Sequence, residues 1–231
     1  MKDNTKQFAY KIGVSFNNAG LLIQAFTHRS YINENKATHQ EHNERLEFLG
    51  DAVLELVVTD FLFKKYPEKP EGELTALRSA LVNTQSLSQA AERLSMNDYL
   101  FLSRGEAKDT GRARQFILAN TFEAVIGALY TDQGYSVAEQ FIHTYLLPEI
   151  DDIVKNKLWQ DAKSRFQELA QEKASITPRY ELLSEEGPDH DKCFTVGVFL
   201  DDAGIAEGSG KSKQEAEQEA AAHALLKKGW A

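Results

Sequence analysis

Residues 43–51 read Asn-Glu-Arg-Leu-Glu-Phe-Leu-Gly-Asp, and this stretch guides the interpretation of the whole chain. Its acids Glu44, Glu47 and Asp51 stand at i, i+3 and i+7, a spacing that places three carboxylates on one stripe of a helix. Like charges on one helix face repel each other, so the stripe is either a solvated acidic face or a site for a compensating cation. Hard divalent ions such as Mg²⁺ prefer oxygen ligands of this kind.

The residues around these acids favour the cation site. Apolar side chains surround the carboxylates on nearly every side of the predicted helix: Leu46, Phe48, Leu49, Ala52, Val53, Leu54, Leu56, Val57 and Val58. A helix that is apolar almost all round is predicted to be buried, and a buried charge must be paired or bound to a metal. We therefore expect a buried helix whose acids hold a cation.

The composition limits the possible classes of protein. The chain has 231 residues, of which 42% are hydrophobic and 26% charged, as expected of one large or two modest globular domains. Glu55 and Asp60 interrupt the longest apolar stretch, so no transmembrane helix is expected, and residues 1–4 show no secretory signal. Cys193 is the only cysteine, which fits a reducing cytoplasm. Because the formal net charge is −9, any contact with nucleic acid must come from local basic clusters.

Apolar periodicity divides the chain into a helical part and a mixed part. Apolar residues recur at three- and four-residue spacing, which predicts helices, over residues 21–26, 46–63, 74–82, 87–94 and 116–130. A polar loop through residues 105–114 is predicted to precede the last of these helices. Beyond a polar segment at 149–161, the pattern predicts a helix near 162–171, strands at 194–200 and 205–208, and a final helix.

Several blocks of the chain resemble the ribonuclease III family. The resemblance is carried by residues 43–51, by Thr27-His28-Arg29-Ser30, by Gly105-Glu106 with Gly111-Arg112-Ala113-Arg114, by Ile117–Gly127 and by Asp132-Gln133-Gly134. It implies a multi-domain protein with an all-α nuclease domain over residues 1–150 and a linker over 151–160. An α+β double-stranded-RNA-binding domain of order α-β-β-β-α is implied for residues 161–230.

The same resemblance implies an activity and its partners. The family hydrolyses phosphodiester bonds of double-stranded RNA in a Mg²⁺-dependent reaction, with Mn²⁺ as a possible substitute, and leaves 5′-phosphates with short 3′ overhangs. A homodimer that processes ribosomal and messenger RNA in the cytoplasm is implied, without a membrane or a small-molecule cofactor. By resemblance the metal cluster consists of Glu47, Asp51, Asn120 and Glu123. Of these, Asp51 and Glu123 are catalytic, and Glu44 is a supporting acid.

Position 120 departs from the family pattern, which usually has aspartate there. Asn120 and Glu123 stand at i, i+3 on a second predicted helix, which also carries the small residues Gly127 and Ala128 that permit close approach to a neighbouring helix. An amide oxygen can ligate a hard cation but brings no charge, so weaker metal binding is expected. The alternative function is therefore a double-stranded-RNA-binding protein with weakened catalysis.

The predicted RNA contacts lie mainly in the C-terminal domain. Its first helix carries one polar stripe, formed by Ser164, Gln167, Glu168 and Gln171. The stripe is either a solvated face or, by resemblance, the surface that meets 2′-hydroxyl groups in the RNA minor groove. The loop that includes His190 matches the family loop that reaches a second minor groove.

Two basic clusters are further candidates for phosphate contacts. Lys211, Ser212 and Lys213 open the last helix, where the helix N-terminus and two cations favour an anion. Arg112 and Arg114, in the polar loop of the nuclease domain, are candidates for additional contacts, although exposed loop arginines often serve only solubility.

Overall fold

A computed structural model describes residues 4–37, 40–155, 159, 161–188 and 192–230. The chain forms two compact units, residues 1–159 and residues 160–231. The helices described in the first unit are α1 (Asn4–Lys11), α2 (Ala19–Ala25), α3 (Arg29–Glu34), α4 (Glu44–Lys65), α5 (Glu71–Leu81), α6 (Thr84–Arg93), α7 (Arg112–Gln133), α8 (Tyr135–Tyr145) and α9 (Ile150–Lys155). Each of the five predicted helices is present, and the prediction of an all-α first unit is confirmed.

Helices α4 and α7 form the centre of this unit. Each has 22 residues, and they pack against each other in a core to which α1, α2, α5, α6, α8 and α9 also contribute. On α7 nearly every residue from Ile117 to Leu129 is buried, because neighbouring helices cover it on several sides. The polar groups Asn120 and Glu123 interrupt this apolar stretch and are only partly exposed.

The prediction that α4 is buried all round is wrong for the single chain. Phe48, Leu56 and Phe63 expose 81%, 58% and 69% of their surface. Their spacing of eight and seven residues places them on one side of the helix. The apolar pattern therefore reports two faces, one in the core and one at the surface of the chain, and periodicity alone does not separate them.

The polar loop predicted at residues 105–114 is shorter than expected, because α7 begins at Arg112. Arg114 explains the early start. Its guanidinium donates hydrogen bonds to the backbone carbonyls of Glu106 and Asp109 and to Oδ1 of Asn97, 2.8 Å away. These bonds anchor the first turn of α7 to the preceding loop, and arginine and alanine are themselves good helix formers.

The segment 151–160 is not an irregular linker throughout. Residues up to Lys155 belong to α9, and Ile150 and Ile153 are buried in the core of the first unit. Nζ of Lys65 also lies 2.7 Å from a carboxylate oxygen of Asp151. One pair of apolar residues at i, i+3 is too short a pattern to reveal such a helix among charged neighbours.

The second unit has the predicted order of one helix, three strands and one helix. Helix α10 (Ala162–Ala174) is followed by β1 (Arg179–Glu186), β2 (Cys193–Leu200), β3 (Ala203–Gly210) and α11 (Lys213–Lys228). The strands form an antiparallel sheet of order β1-β2-β3. Alternation in β2 buries Val196, Val198 and Leu200, and the apolar faces of both helices close the core.

Glycine at one position permits the close packing of α11 on this sheet. A Cβ atom added to Gly208 on β3 would lie 2.1 Å from the backbone nitrogen of Ala220. The alanines of α11 at i, i+4 and i+8, Ala216, Ala220 and Ala224, are all fully buried against the sheet.

Among the residues described, none of the helices combines the length and apolar character that crossing a bilayer requires.

Candidate functional site

The two acidic helices of the first unit cross at a pair of glycines. A Cβ atom added to Gly50 would lie 1.8 Å from the carbonyl oxygen of Glu123, and one added to Gly127 would lie 2.0 Å from that of Leu46. The backbones of α4 and α7 are therefore in direct contact, which no larger residue permits. This crossing places Glu47 and Asp51, which flank Gly50, beside Asn120 and Glu123, which lie one to two turns before Gly127.

The side chains brought together are those of the predicted metal cluster. Asn120 on α7 forms a side-chain hydrogen bond with Glu47 on α4, with the amide donating to the carboxylate. Glu123 interacts electrostatically with Asp51 and Glu47. Glu47 and Glu123 are half-buried, whereas Asp51 is exposed. Two distant segments of the sequence thus form one acidic patch at the edge of the core.

Burial first, and neighbouring negative charge second, raise the pKa values of two carboxyl groups in the patch. The pKa of Glu123 is raised to about 8, first by burial and then by the carboxylates of Asp51, Glu47 and Glu55. Burial also raises the pKa of Glu47, the charge of Glu44 adds to this, and the hydrogen bond from Asn120 acts in the opposite direction. A cation bound at the patch would favour the ionised forms of both groups.

Glu44 lies at the rim of the patch. Its carboxylate is 3.5 Å from Nη1 of Arg29 and 3.7 Å from Nδ1 of His42. Its side chain is about half exposed, at 48%. Glu44 therefore acts on Glu47 electrostatically, by raising its pKa, as expected of a supporting acid.

Glu55 is a member of the acidic neighbourhood that the sequence analysis missed. It follows Asp51 by one turn of α4, its charge raises the pKa of Glu123, and its carboxylate lies 3.0 Å from Nε of Arg78. The signal was present in the sequence, because Glu47, Asp51 and Glu55 stand at i, i+4 and i+8. The ion pair with Arg78 joins α4 to α5 and partly neutralises this acid.

The chemistry of the donor set fits a hard divalent cation. Glu47, Asp51, Asn120 and Glu123 offer oxygen atoms, which Mg²⁺ prefers. Burial, and then neighbouring carboxylates, raise the pKa values of Glu47 and Glu123, and a bound cation would offset both effects. Within the described ranges, no three His, Cys, Asp or Glu side chains stand close enough together to hold a metal as they are. The residues therefore make up a candidate ligand set, not a closed coordination shell.

The predicted polar stripe of α10 forms a continuous surface. Ser164, Gln167, Glu168 and Gln171 are exposed and line one shallow depression together with Glu172. On the opposite side of the helix, Phe166 and Ala170 are buried in the core of the second unit. The stripe thus faces solvent because the apolar side of the helix is held by the sheet and α11.

The start of α11 combines a helix cap with two exposed lysines. Ser212 is the N-cap, and its hydroxyl oxygen accepts a hydrogen bond of 3.2 Å from the backbone nitrogen of Glu215. The Glu215 carboxylate in turn accepts a bond of 2.9 Å from the backbone nitrogen of Lys211. Nζ of Lys213 lies 5.9 Å from the ring centroid of Phe194. The predicted contact His190 lies outside the described residues.

The two arginines at the start of α7 differ in their surroundings. Arg112 is exposed, with its guanidinium 5.9 Å from the ring centroid of Phe116. Nη1 of Arg114 donates to Asn97, and Nη2 donates to the carbonyls of Glu106 and Asp109. Arg114 thus serves the structure of the loop, and Arg112 keeps the exposure that a contact with a ligand requires.

An acidic helix crossing followed by an α-β-β-β-α unit is the arrangement expected of a nuclease joined to a double-stranded-RNA-binding domain, and comparison with known proteins agrees. A family model described as Ribonuclease-III-like matches residues 18–150, and one described as Double-stranded RNA binding motif matches residues 162–228. The chain therefore belongs to the ribonuclease III family, whose members are endoribonucleases acting on double-stranded RNA.

Individual relatives cover nearly the whole chain. Ribonuclease 3 of Bacillus cereus (strain G9842) is 49% identical over 222 residues, which are 96% of this chain and 90% of the relative. Ribonuclease 3 of Pelotomaculum thermopropionicum is 45% identical over 217 residues, 94% of this chain and 90% of the relative. A solved structure of the ribonuclease III nuclease domain from Campylobacter jejuni has a TM-score of 0.56 and 37% identity, covering 62% of this chain and 95% of that domain.

Proposed function

We propose that this endoribonuclease cleaves double-stranded RNA with Mg²⁺ held by Glu47, Asp51, Asn120 and Glu123, and that Mn²⁺ can replace Mg²⁺. The products are 5′-phosphates with short 3′ overhangs. The observation that carries the metal assignment is the contact of Gly50 and Gly127, which brings the Asn120 amide close enough to the Glu47 carboxyl to act on its pKa. Four oxygen-bearing side chains from two helices thereby share one patch.

The residues of the patch have different roles in the proposed reaction. When bound, Mg²⁺ lowers the pKa of a coordinated water and neutralises charge on the phosphate. With its pKa near 8, Glu123 holds a proton at neutral pH until a cation favours the carboxylate, so cation binding and proton release are linked there. Asp51 is exposed and can reach the substrate, whereas Asn120 orients the Glu47 carboxylate through its amide.

The alternative of an RNA-binding protein with weakened catalysis is not favoured. The chain retains three carboxylates of the patch, Glu47, Asp51 and Glu123, and its closely similar relatives are named as ribonucleases. Asn120 also has a defined role, because its neutral amide lowers the pKa of Glu47 by hydrogen bonding and so favours the Glu47 carboxylate. Weaker cation binding, not loss of activity, is the expected consequence of the amide.

A cleavage assay over a Mg²⁺ titration tests this function. Purified full-length protein and a 5′-labelled RNA duplex should give discrete short duplexes with 5′-phosphates, and chelation of the metal should stop the reaction. Single-stranded RNA of the same sequence serves as the matched substrate control. Binding of the duplex without cleavage at any Mg²⁺ or Mn²⁺ concentration would show that the chain is the weakened binder instead.

We propose further that the chain acts as a homodimer through the exposed side of α4. Phe48, Leu56 and Phe63 form one apolar stripe there, and large exposed apolar patches mark interaction surfaces. Burying three such side chains contributes about 1.5–3 kcal/mol each before the costs of association are subtracted. The Campylobacter jejuni structure concerns flexibility in a region involved in dimer formation, which supports the same assignment.

Light scattering on charged variants tests the dimer. Phe48→Asp combined with Phe63→Asp should convert the protein to a monomer at micromolar concentration. Leu226→Asp is the matched control, because Leu226 is 67% exposed on α11 of the other unit and should leave the mass unchanged. A wild-type protein that is monomeric, or a dimer that survives both substitutions on α4, would contradict the proposal.

The site of action is also a proposal, which rests on the resemblance. We propose the cytoplasm, with ribosomal and messenger RNA precursors as substrates. Cys193 is the only cysteine and is exposed, so the chain has no internal disulfide, as suits a reducing compartment. The polar depression on α10 and Lys211 and Lys213 of α11 are proposed to hold the duplex, with Arg112 as an additional contact from the first unit.

A further inference from the structure

The motif Thr27-His28-Arg29-Ser30 binds a loop that lies far from it in the sequence. Thr27 forms an isolated parallel bridge with Phe101. The backbone nitrogen of Phe101 donates to the carbonyl of Phe26 at 2.9 Å, and the nitrogen of His28 donates to the carbonyl of Phe101 at 3.1 Å. The segment around Phe101 is thus aligned with the motif just before the loop that leads to α7.

Ser30 extends this alignment into the loop. Its hydroxyl oxygen accepts a hydrogen bond of 3.1 Å from the backbone nitrogen of Ser103 and lies 2.8 Å from Nδ1 of His28. The backbone nitrogen of Ser30 also donates to Nδ1 of His28, at 3.3 Å. Because Nδ1 accepts this bond, it carries no proton, and the Ser30 hydroxyl can donate to it. The result is an ordered chain from Ser103 through Ser30 to His28.

The environment of His28 is consistent with a neutral imidazole whose Nδ1 carries no proton. Burial lowers the pKa of His28, which keeps the imidazole neutral near pH 7. Charges on several elements act on it as well, in the order Glu106, Arg29, Glu44 and Arg114. Since Glu44 belongs to α4 and Glu106 to the loop, the chain of hydrogen bonds lies between the loop and the rim of the acidic patch.

Residues 103–111 together with Arg112, the first residue of α7, are here called the basic loop, and this segment is held from both ends. Ser103 Oγ accepts a hydrogen bond of 3.2 Å from the backbone N–H of Glu106. The backbone N–H of Arg104 donates a hydrogen bond of 2.8 Å to the carboxylate of Glu34. Arg114 holds the other end through the carbonyls of the loop. The loop carries three exposed cations, Arg104, Lys108 and Arg112, against two acids, Glu106 and Asp109, so its net charge is +1. The side chain of Arg104 is 95% exposed, with Nε 3.6 Å from a carboxylate oxygen of Glu34.

We propose that Ser30 is a positioning residue for RNA binding by the first unit: through Ser103 it holds the basic loop so that its three cations contact phosphates of the duplex. The proposal rests on the proposed function, because it takes the duplex to lie beside the acidic patch. In a chain with net charge −9, a local group of cations is what permits such a contact. Ser30 itself does not touch the RNA.

Single-turnover cleavage by the full-length protein separates binding from chemistry. Ser30→Ala should raise the protein concentration for half-maximal cleavage about three- to tenfold, the range expected for one lost hydrogen bond. The maximal rate should stay within about twofold, because the acidic patch is unchanged. The slope of binding against salt, measured in chelator without cleavage, should decrease by about one unit. Ser30→Thr keeps the hydroxyl and should restore both values.

Ser86→Ala is the matched control for a merely structural effect. The Ser86 hydroxyl also donates one hydrogen bond, to the carbonyl of Ala80 at 2.9 Å, but lies at the start of α6. It should lower thermal stability about as much as Ser30→Ala and leave half-saturation unchanged. An equal loss in both variants, or a Ser30→Ala effect confined to the maximal rate, would overturn the proposal.

A double-mutant cycle with Lys108→Ala tests whether the binding loss in Ser30→Ala depends on the basic loop. Lys108 is exposed, so its truncation is not expected to affect folding. If Ser30 acts by placing the basic loop, the two substitutions together should cost less binding than the sum of their separate costs. Strictly additive losses would contradict this action. Failure of the wild-type protein to cleave would instead refute the proposed function, and the binding measurements in chelator would still decide the role of Ser30.

Discussion

The acidic patch of the first unit and the polar stripe of α10 place their side chains in different ways. Glu47 and Asn120 are 73 residues apart in the sequence and meet because Gly50 and Gly127 allow two backbones to touch. The residues of the stripe, in contrast, belong to a single helix and share a face through helical spacing alone. The patch therefore depends on long-range packing with almost no spare room, whereas the stripe depends only on α10 remaining a helix.

The largest expected effect is on chemistry at the patch. Glu123→Gln should reduce cleavage by about a thousandfold or more, because a ligand that ionises is replaced by a neutral amide of the same size. Duplex binding should be retained, since it depends on the second unit and on phosphate contacts. Cleavage assays at saturating Mg²⁺ and binding assays in chelator measure the two separately. Glu92→Gln, at an exposed position on α6 away from both the patch and the α10 depression, is the control for the same chemical change. Retained cleavage in Glu123→Gln would remove this residue from the site.

A slightly smaller effect is expected from the helix crossing. Gly50→Ala would place a Cβ atom 1.8 Å from the carbonyl oxygen of Glu123, so the helices must separate. We expect about 2–4 kcal/mol of lost stability and roughly a hundredfold slower cleavage, since displacements near 1 Å have such effects. Chemical denaturation and cleavage rates measure both.

Gly72→Ala is the matched control for this substitution. A Cβ atom at Gly72 on α5 meets nothing within 4 Å, and alanine is the better helix former there, so stability should rise by about 0.5 kcal/mol. Cleavage should be unaffected. If Gly50→Ala behaved like Gly72→Ala, the patch would not depend on the backbone contact.

The stability of the patch should depend on pH in the absence of metal. The pKa of Glu123 is about 8 in the folded protein and 4.5 as its reference value. Because the folded-state pKa is raised, the contribution of the group to stability is full below pH 4.5 and is lost as pH rises toward 8. Glu123→Gln lacks this loss. Its unfolding free energy relative to wild type should thus increase by on the order of 2 kcal/mol between pH 4.5 and 8 in chelator, allowing for solvent screening. A pH-independent difference would contradict the raised pKa.

On the RNA-binding side the expected effects are more gradual. Lys211→Ala with Lys213→Ala should weaken duplex binding about tenfold and lower the salt slope by about two units, at slightly less than one unit per phosphate contact. Sequence preference should hardly change, because phosphates carry no base information. Lys227→Ala with Lys228→Ala, in the last turn of the same helix, provides the control. Equal losses in both pairs would show a general effect of charge, not a contact at the helix start.

The smallest expected effect concerns Asn120. Asn120→Asp adds a charge beside Glu47 and should lower the Mg²⁺ concentration for half-maximal cleavage severalfold, since a nearby charge acts strongly on the ion even in a screened site. Loss of the amide hydrogen bond to Glu47 opposes this gain. A Mg²⁺ titration of single-turnover rates measures the balance, with Asn83→Asp at the N-cap of α6 as the control. Coincident titration curves would place residue 120 outside the metal shell.

Local patterns in the sequence were sufficient for the order of the elements. The spacing of apolar residues predicted α4 and α7 and the alternation in β2, because side chains repeat with the period of the backbone that carries them. It was insufficient for α9, where two buried isoleucines stand among charges, and for the start of α7, which Arg114 determines through bonds to the loop. Elements whose ends depend on distant partners do not appear in local periodicity.

The sequence by itself therefore determined the family, the residue types of the patch and the polar stripe of α10. Only the tertiary structure decided which acids meet, that Glu55 joins them, and that Phe48, Leu56 and Phe63 remain exposed on α4. It also showed that Ser30 and His28 hold a loop more than 70 residues away. The reason is physical: periodicity reports which side of a helix is apolar, but the neighbour of each side is set by packing between segments distant in the chain.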